Sequence, residues 1–434
     1  MTHKLTSGSH VLSVETLARV EGEGGMHVHV QDGTVRDVHL RIFEPPRFFE
    51  AFLRGRAHTE PPDITARICG ICPVAYQMSA CLAIEDACGV VVPEEIRHLR
   101  RLLYCGEWIE SHALHIFFLH APDLLGYPGA IEMARDHRGL VESALRLKRA
   151  GNDLMTVVGG RAVHPVNVRV GGFHRLPTRS ELLELRPQLV AAREEALAAV
   201  PVVSGFTFPQ FEQPYLYAAL DSAQGYPLES GSLVTSAGQA MPVADFGDHV
   251  AEQHVAHSNA LHSTFDGATY VVGPLARYSL NYPALAPLAR EAAESGGLGP
   301  VCRNPFQSIV VRTVELIHAL DEAIRLIDAW HGAPVAAVSV PARPGVGHGA
   351  TEAPRGLLYH RYRIDGAGTI LDAQITPPTA QNQPAIEADL RSFVQDHLHL
   401  SHEELTHQCE VAIRTYDPCI SCATHFLDLD VEHL

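Results

Sequence analysis

Asp417-Pro418-Cys419-Ile420-Ser421-Cys422-Ala423-Thr424-His425 sets a metal-ligating side chain at every third position, Cys419, Cys422 and His425. Pro418 suits the first position of a helix and Asp417 the cap before it, so the spacing predicts a short helix with all three ligands on one side. Two thiolates alone bind a metal loosely, and the complementary pair is far away. It lies in Arg67-Ile68-Cys69-Gly70-Ile71-Cys72-Pro73, with Cys72 and Cys419 347 positions apart. Four thiolates hold nickel, iron or zinc firmly. A site built from both pairs would clasp distant parts of the chain together, which argues for one domain over 1–434 where the length alone would accommodate two or three.

A structural zinc site is the plainest reading of two Cys-x-x-Cys pairs. Such pairs usually sit on small knuckles or ribbons, however, and zinc gives no role to Arg67 or His425 beside them. Together the two stretches resemble the signature motifs of the nickel-iron hydrogenase large (catalytic) subunit. The resemblance implies an α+β, predominantly helical fold, with a central long-helix bundle, an N-terminal β-hairpin region and peripheral β elements. It also implies a nickel ion paired with an iron that carries carbon monoxide and cyanide. Cys69 and Cys419 would be terminal on nickel, Cys72 and Cys422 bridging, and Cys419 would be the base. Dihydrogen is a very weak acid, so splitting it needs a metal pair for the hydride and a nearby base for the proton.

Further segments extend the resemblance along most of the chain. Ala18-Arg19-Val20-Glu21-Gly22-Glu23-Gly24 resembles the family's Arg-Ile-Glu-Gly segment, which makes Glu21 the expected proton relay, with Glu23 the competing carboxylate. Arg47-Phe48-Phe49-Glu50-Ala51-Phe52-Leu53-Arg54-Gly55-Arg56 reads as a short helix stopped by Gly55, and Glu50 matches the ligand of a magnesium-type ion. In Glu352-Ala353-Pro354-Arg355-Gly356, Arg355 matches the arginine whose planar, permanently charged fork lies over the open face of the metals and grips a cyanide. In Ile375-Thr376-Pro377-Pro378-Thr379-Ala380-Gln381-Asn382, Thr379 would donate to the other cyanide beside Pro378, and the Ile375 carbonyl would join the magnesium site. Arg67 and His112 complete the expected surroundings. The family also implies nickel-insertion proteins and a maturation protease that cuts after His425, removing 426–434 and bringing His425 onto the magnesium-type ion.

The remaining features bound partners and location. A net charge of −17 leaves no basic stripe for phosphates and excludes nucleic-acid binding. Nine cysteines, an odd number with four in the pairs, fit a reducing compartment; Cys81, Cys88, Cys105, Cys302 and Cys409 read as ordinary thiols. The 27 histidines are read as structural unless a motif claims them. No long apolar run or N-terminal signal appears, so a cytoplasmic location is expected. Alternation around Asp32-Gly33 predicts a hairpin over 26–42. Helices are expected over 74–87, 94–119, 180–199 (ended by Pro201) and 304–331, with a β-containing insertion over 205–246.

No further cysteine cluster and no Gly-x-Gly-x-x-Gly turn occurs, so electrons must leave through other chains. The expected partners are an iron-sulfur small subunit and flavin- and NAD(P)-binding electron-transfer subunits. Tyr76, in Cys-Pro-Val-Ala-Tyr-Gln-Met, replaces a histidine of many family members, and Ser111-His112-Ala113-Leu114-His115 lacks the aspartate usual in respiratory members. The tyrosine variant looks most like cytoplasmic multisubunit enzymes linked to NAD(P). A deazaflavin-linked partner is the alternative acceptor. A zinc-stapled scaffold is the non-redox alternative, and the quinone-module subunit of respiratory complex I, a related fold, lacks the four cysteines.

Overall fold

A computed structural model describes residues 8–424. Strand β1 (Ser9–Val14) pairs antiparallel with β2 (Gly24–Gln31), which pairs with β3 (Thr34–Ile42). Asp32 and Gly33 between them both take left-handed backbone, φ 49° and 72°, the geometry that matches a two-residue turn to strand twist. Met26, Val28 and Val30 turn inward and the intervening residues outward, as the alternation predicts.

After a short helix, Phe49–Leu53, the chain enters its bundle. Helix α1 (Pro73–Cys88) starts on Pro73 directly after Cys72 and ends on left-handed Gly89. Helices α2 (Glu94–Leu114) and α3 (Arg138–Gly159) pack on each other. The expected continuation of α2 to residue 119 is instead a π-helical turn, His115–His120, which brings His115 Nε2 to within 2.8 Å of the Arg414 carbonyl. Helix α4 (Arg179–Ser204) does not stop at Pro201 as expected, because buried Val200 and Val203 hold its last turn against the core. Three antiparallel strands, Ala218–Asp221, Ser232–Thr235 and Ala240–Met241, make up the expected insertion. Strands β4 (Val250–Val255) and β5 (Ser258–Phe265) follow as a hairpin. Helix α5 (Ser308–Ala329), almost wholly buried, contacts both α2 and α4.

The antiparallel sheet β6 (Gly345–Ala353), β7 (Gly356–Ile364) and β8 (Ile370–Thr376) backs α1. Gly347 and Gly349 make that contact possible. A Cβ on Gly347 would lie 2.0 Å from the Ala83 carbonyl oxygen, and one on Gly349 2.4 Å from that of Ser79. Ser79 and Ala83 are one helical step of four apart, so a ridge of α1 lies directly on bare backbone. Helices α6 (Pro378–Asp396), α7 (His402–Thr415) and the single turn α8 (Ile420–Ala423) follow. The largest apolar cluster runs from Leu12 to Cys422 and includes all four motif cysteines. The architecture is the expected mainly helical α+β arrangement. Among the described residues, no helix is long and apolar enough to cross a membrane.

Candidate active site

Each cysteine pair is fixed by side chains distant in sequence. At the start of α1 the buried Glu107 carboxylate accepts from the Val74 and Ala75 amides, at 2.6 and 3.1 Å, satisfying two of the donors a helix N-terminus leaves open. At the other pair, Ile420 N donates to the Glu21 carbonyl at 2.9 Å, and Glu21 and Cys419 form a parallel bridge. Gly22 permits this approach: at φ 91°, a Cβ there would lie 2.6 Å from Ile420 Cβ. Arg47 joins the two motifs, since its Nη2 donates to the Ile68 carbonyl at 2.6 Å and also to that of Ser421.

The four sulfurs consequently converge. Cys69 Sγ lies 3.4 Å from Cys419 Sγ, Cys72 Sγ 3.4 Å from Cys422 Sγ, and Cys419 Sγ 2.8 Å from Cys422 Sγ. All lie within 4.8 Å of one another and all are buried. These separations far exceed a disulfide bond, about 2.05 Å, and fall within the span of ligands around shared metal ions. Hydrogen bonds from neighbouring thiols hold Cys69 well below the usual thiol range, whereas burial raises Cys419 and Cys422. Four buried thiolates beside one guanidinium would repel one another strongly, so the donor set requires multiply charged cations and fits a soft or borderline metal centre.

Arg355 is 2% exposed. Its Nε lies 3.0 Å from Asp417 Oδ2, its Nη2 donates to Oδ1 at 3.2 Å, and its buried Nη1 has no protein partner. Against the pull of burial, Asp417 and the sulfurs of Cys419, Cys72 and Cys69 keep it protonated. Asp417 is thus not the helix cap the sequence suggested. Its backbone is left-handed, φ 53°, its carboxylate is spent on Arg355, and Cys419 takes the cap position.

Glu21 Oε2 accepts from Ser421 N at 3.0 Å and lies 3.1 Å from Cys419 Sγ. Burial raises its carboxyl above the ordinary range. The competing Glu23 is exposed. Thr379, at the start of α6 next to buried Pro378, accepts the Cys419 amide at 2.9 Å, which leaves its own hydroxyl proton to be donated elsewhere. Tyr76 Oη donates to the Cys422 carbonyl at 3.4 Å.

Glu50 is met by the Ile375 amide at 2.7 Å, and burial pushes its carboxyl up to about 8. Glu252, which sequence reasoning passed over, contributes to the same region. It accepts from Thr376 Oγ1 at 2.9 Å, has a buried, unpartnered Oε1, and is pushed by burial up to about 7. His425 and 426–434 lie outside the described residues. Arg67 is exposed, and the contact with the motif backbone is made by Arg47.

His112 is not beside the sulfurs. Its Nε2 lies 3.1 Å from Glu315 Oε2, in a buried network that the sequence did not reveal. At the centre of that network Arg277 donates to Glu315 at 3.0 and 2.9 Å, to Glu352 at 3.1 Å, and to the Ala353 and Pro354 carbonyls at 2.5 and 2.9 Å. It therefore fixes the peptide that carries Arg355. Isolated charges inside apolar segments give no local sign of such a role.

The sequence pattern of the family described as nickel-dependent hydrogenase matches residues 47–137 and 250–425. Sulfhydrogenase 1 subunit alpha of Pyrococcus furiosus is 34% identical, over 96% of this chain and 98% of that protein. The NAD-reducing hydrogenase HoxS subunit beta of Cupriavidus necator is 29% identical, over 96% and 95%. A crystal structure of an NAD+-reducing [NiFe]-hydrogenase in the H2-reduced state superimposes with a TM-score of 0.86 at 26% identity, covering 96% of this chain and 99% of that one. A buried cysteine clasp in a chain with such relatives from end to end settles the family: the protein belongs to the nickel-dependent hydrogenase family, as a large, catalytic subunit.

Proposed function

We propose that this subunit splits dihydrogen heterolytically and reversibly over Cys69, Cys72, Cys419 and Cys422, and that the electrons pass through an iron-sulfur small subunit and flavin-containing subunits to NAD(P). The observation that carries this reading is the convergence of four buried sulfurs with a carboxylate oxygen 3.1 Å from one of them. Nickel paired with an iron bearing carbon monoxide and cyanide would supply the Lewis acidity and the electron storage at that position. The other duties fall to the chain. Cys419 Sγ takes the proton, and Glu21 Oε2, the nearest carboxylate oxygen, receives it next. The raised Glu21 carboxyl suits a group that must be protonated and released in turn. Arg355, held by Asp417 with one buried nitrogen free, supplies positive charge and a donor for an anionic ligand in a site that excludes water. Thr379 has a hydroxyl proton for a second such ligand.

Glu50, the Ile375 carbonyl and His425 are the proposed ligands of a magnesium-type ion, with Glu252 close enough to steady its water. A carboxyl pushed up to about 8 by burial is one that a divalent cation would return to its charged form. The remaining proposals are one domain over 1–434, nickel-insertion proteins, a protease cutting after His425, and a cytoplasmic location. NAD(P) is favoured because two of the similar proteins bear NAD-reducing names.

The test is nickel analysis of the co-purified complex, with hydrogen-dependent reduction of NAD, NADP, a deazaflavin and a viologen dye assayed side by side. Nickel with NAD or NADP reduction supports the proposal; nickel with deazaflavin reduction alone overturns the acceptor. Zinc without nickel overturns the dihydrogen chemistry itself, and NAD(P) reduction by the isolated chain overturns the division of labour among subunits.

A further inference from the structure

Among the described residues, one further group of side chains brings its ligand atoms together as closely as the cysteines do. A ring nitrogen of His39, one of His257 and a carboxylate oxygen of Glu387 all lie within 4.8 Å of one another. They come from three separate elements: His39 from β3, His257 from the turn between β4 and β5, and Glu387 from α6. We propose that His39, His257 and Glu387 form a second metal site, for a zinc-class divalent cation, that staples the N-terminal sheet and the β4–β5 hairpin to α6.

The arrangement is built and oriented. The His39 and His257 rings approach to 4.2 Å between centroids. Glu387 Oε1 accepts the Leu40 amide at 2.8 Å, which fixes the carboxylate, and lies 2.8 Å from His257 Nε2. His39 Nδ1 is buried with no hydrogen-bond partner. His262, on β5, is 5% exposed, places its ring 5.5 Å from that of His257, and has a buried Nε2 that is also without a partner. Buried ring nitrogens are seldom left unsatisfied, and two in one cluster point to a missing ligand. Asp37 and Arg391 flank His39 with opposite charges, and His27 stacks on it from the paired strand at 6.3 Å.

Two imidazole nitrogens and a carboxylate oxygen are a borderline donor set, suited to zinc and unsuited to magnesium or calcium. A fourth ligand would be water or His262. The ion's role is mechanical. The first turn of helix α6 carries Thr379, which holds the Cys419 amide, so fixing α6 to β3 steadies the C-terminal motif.

The experiment uses the nickel-loaded complex, in which the four cysteines are occupied. It is stripped with a chelator, dialysed against zinc chloride, and analysed for zinc per nickel and by X-ray absorption at the zinc edge. The expected result is one more zinc per nickel than in the His39→Ala/His257→Ala double variant, with nitrogen and oxygen neighbours only. Affinity should fall at least tenfold in His39→Ala and in Glu387→Gln, with nickel content and hydrogen uptake kept. His257→Gln, in a hairpin turn, serves where a core variant loses its nickel through misfolding. Equal zinc in wild type and variants, no additional zinc, or sulfur among its neighbours would overturn the site and leave the hydrogenase assignment untouched.

Discussion

Replacing Arg277 with methionine removes the guanidinium that pairs with two fully buried carboxylates, Glu315 and Glu352. The structure gives the size of the effect. Against burial, Arg277 and His112 hold the Glu315 carboxyl down to about 2, from an ordinary 4.5. That difference corresponds to about 3 kcal/mol of folding free energy at neutral pH. Removing one partner of a buried ion pair independently costs about 3–5 kcal/mol, so the two routes agree. The sign follows from the direction. A depressed carboxyl stabilises fully above its unfolded value of 4.5 and loses that contribution as pH falls towards 2, so at pH 3 the substitution should cost less than half as much. Urea unfolding can be followed by the fluorescence of Trp108, over whose ring the Arg277 guanidinium sits at 4.4 Å. In a Glu315→Gln/Glu352→Gln background, with neither carboxylate left to strand, Arg277→Met should lose most of its cost. A loss below about 1 kcal/mol at pH 7, or an equal loss in both backgrounds, would refute the reasoning that Arg277 stabilises by charge pairing.

Glu21→Gln keeps an acceptor for Ser421 N but cannot carry a proton; hydrogen-dependent dye reduction should fall by about 10²–10⁴-fold with nickel content unchanged, and activity above half of wild type would remove Glu21 from the relay. Thr379→Val leaves the buried Cys419 amide without its acceptor and should cost about 1–3 kcal/mol in urea unfolding of the nickel-free chain. Gly347→Ala drives a methyl group into the Ala83 carbonyl and should lower the urea midpoint by the equivalent of about 1–3 kcal/mol or more, whereas Gly366→Ala, whose nearest neighbour is Pro344 Cδ at 4.0 Å, should leave it unchanged.

The sequence was most legible where the chemistry is local. A Cys-x-x-Cys pair declares its ligands within four residues, and Asp32-Gly33 declares its turn within two. Both cysteine pairs, the hairpin and the main helices are where the sequence puts them. It was least legible where a residue's partner arrives from elsewhere. Asp417 next to Pro418 reads as a cap, but the attraction of a buried guanidinium 62 positions away decides its conformation. Arg67 stands beside Cys69 in sequence and is exposed, while Arg47, 21 positions from Ile68, makes the contact. Glu107, Glu252, Arg277 and Glu315 look like ordinary charges on amphipathic segments until the core closes over them. The same holds for His39 and His257, whose meaning depends on two hairpins and a helix meeting.

The distance along the chain between the two cysteine motifs also sets a clock. At a synthesis rate of about 5–20 residues per second, Cys419 leaves the ribosome roughly 20–70 s after Cys72. Throughout that interval Cys69 and Cys72 can offer an arriving ion two sulfurs at most. The bonds from Ile420 to Glu21 and from Arg47 to Ser421 cannot close before the second motif has emerged. An ion admitted early could still dissociate; one present when those bonds form would be enclosed by them.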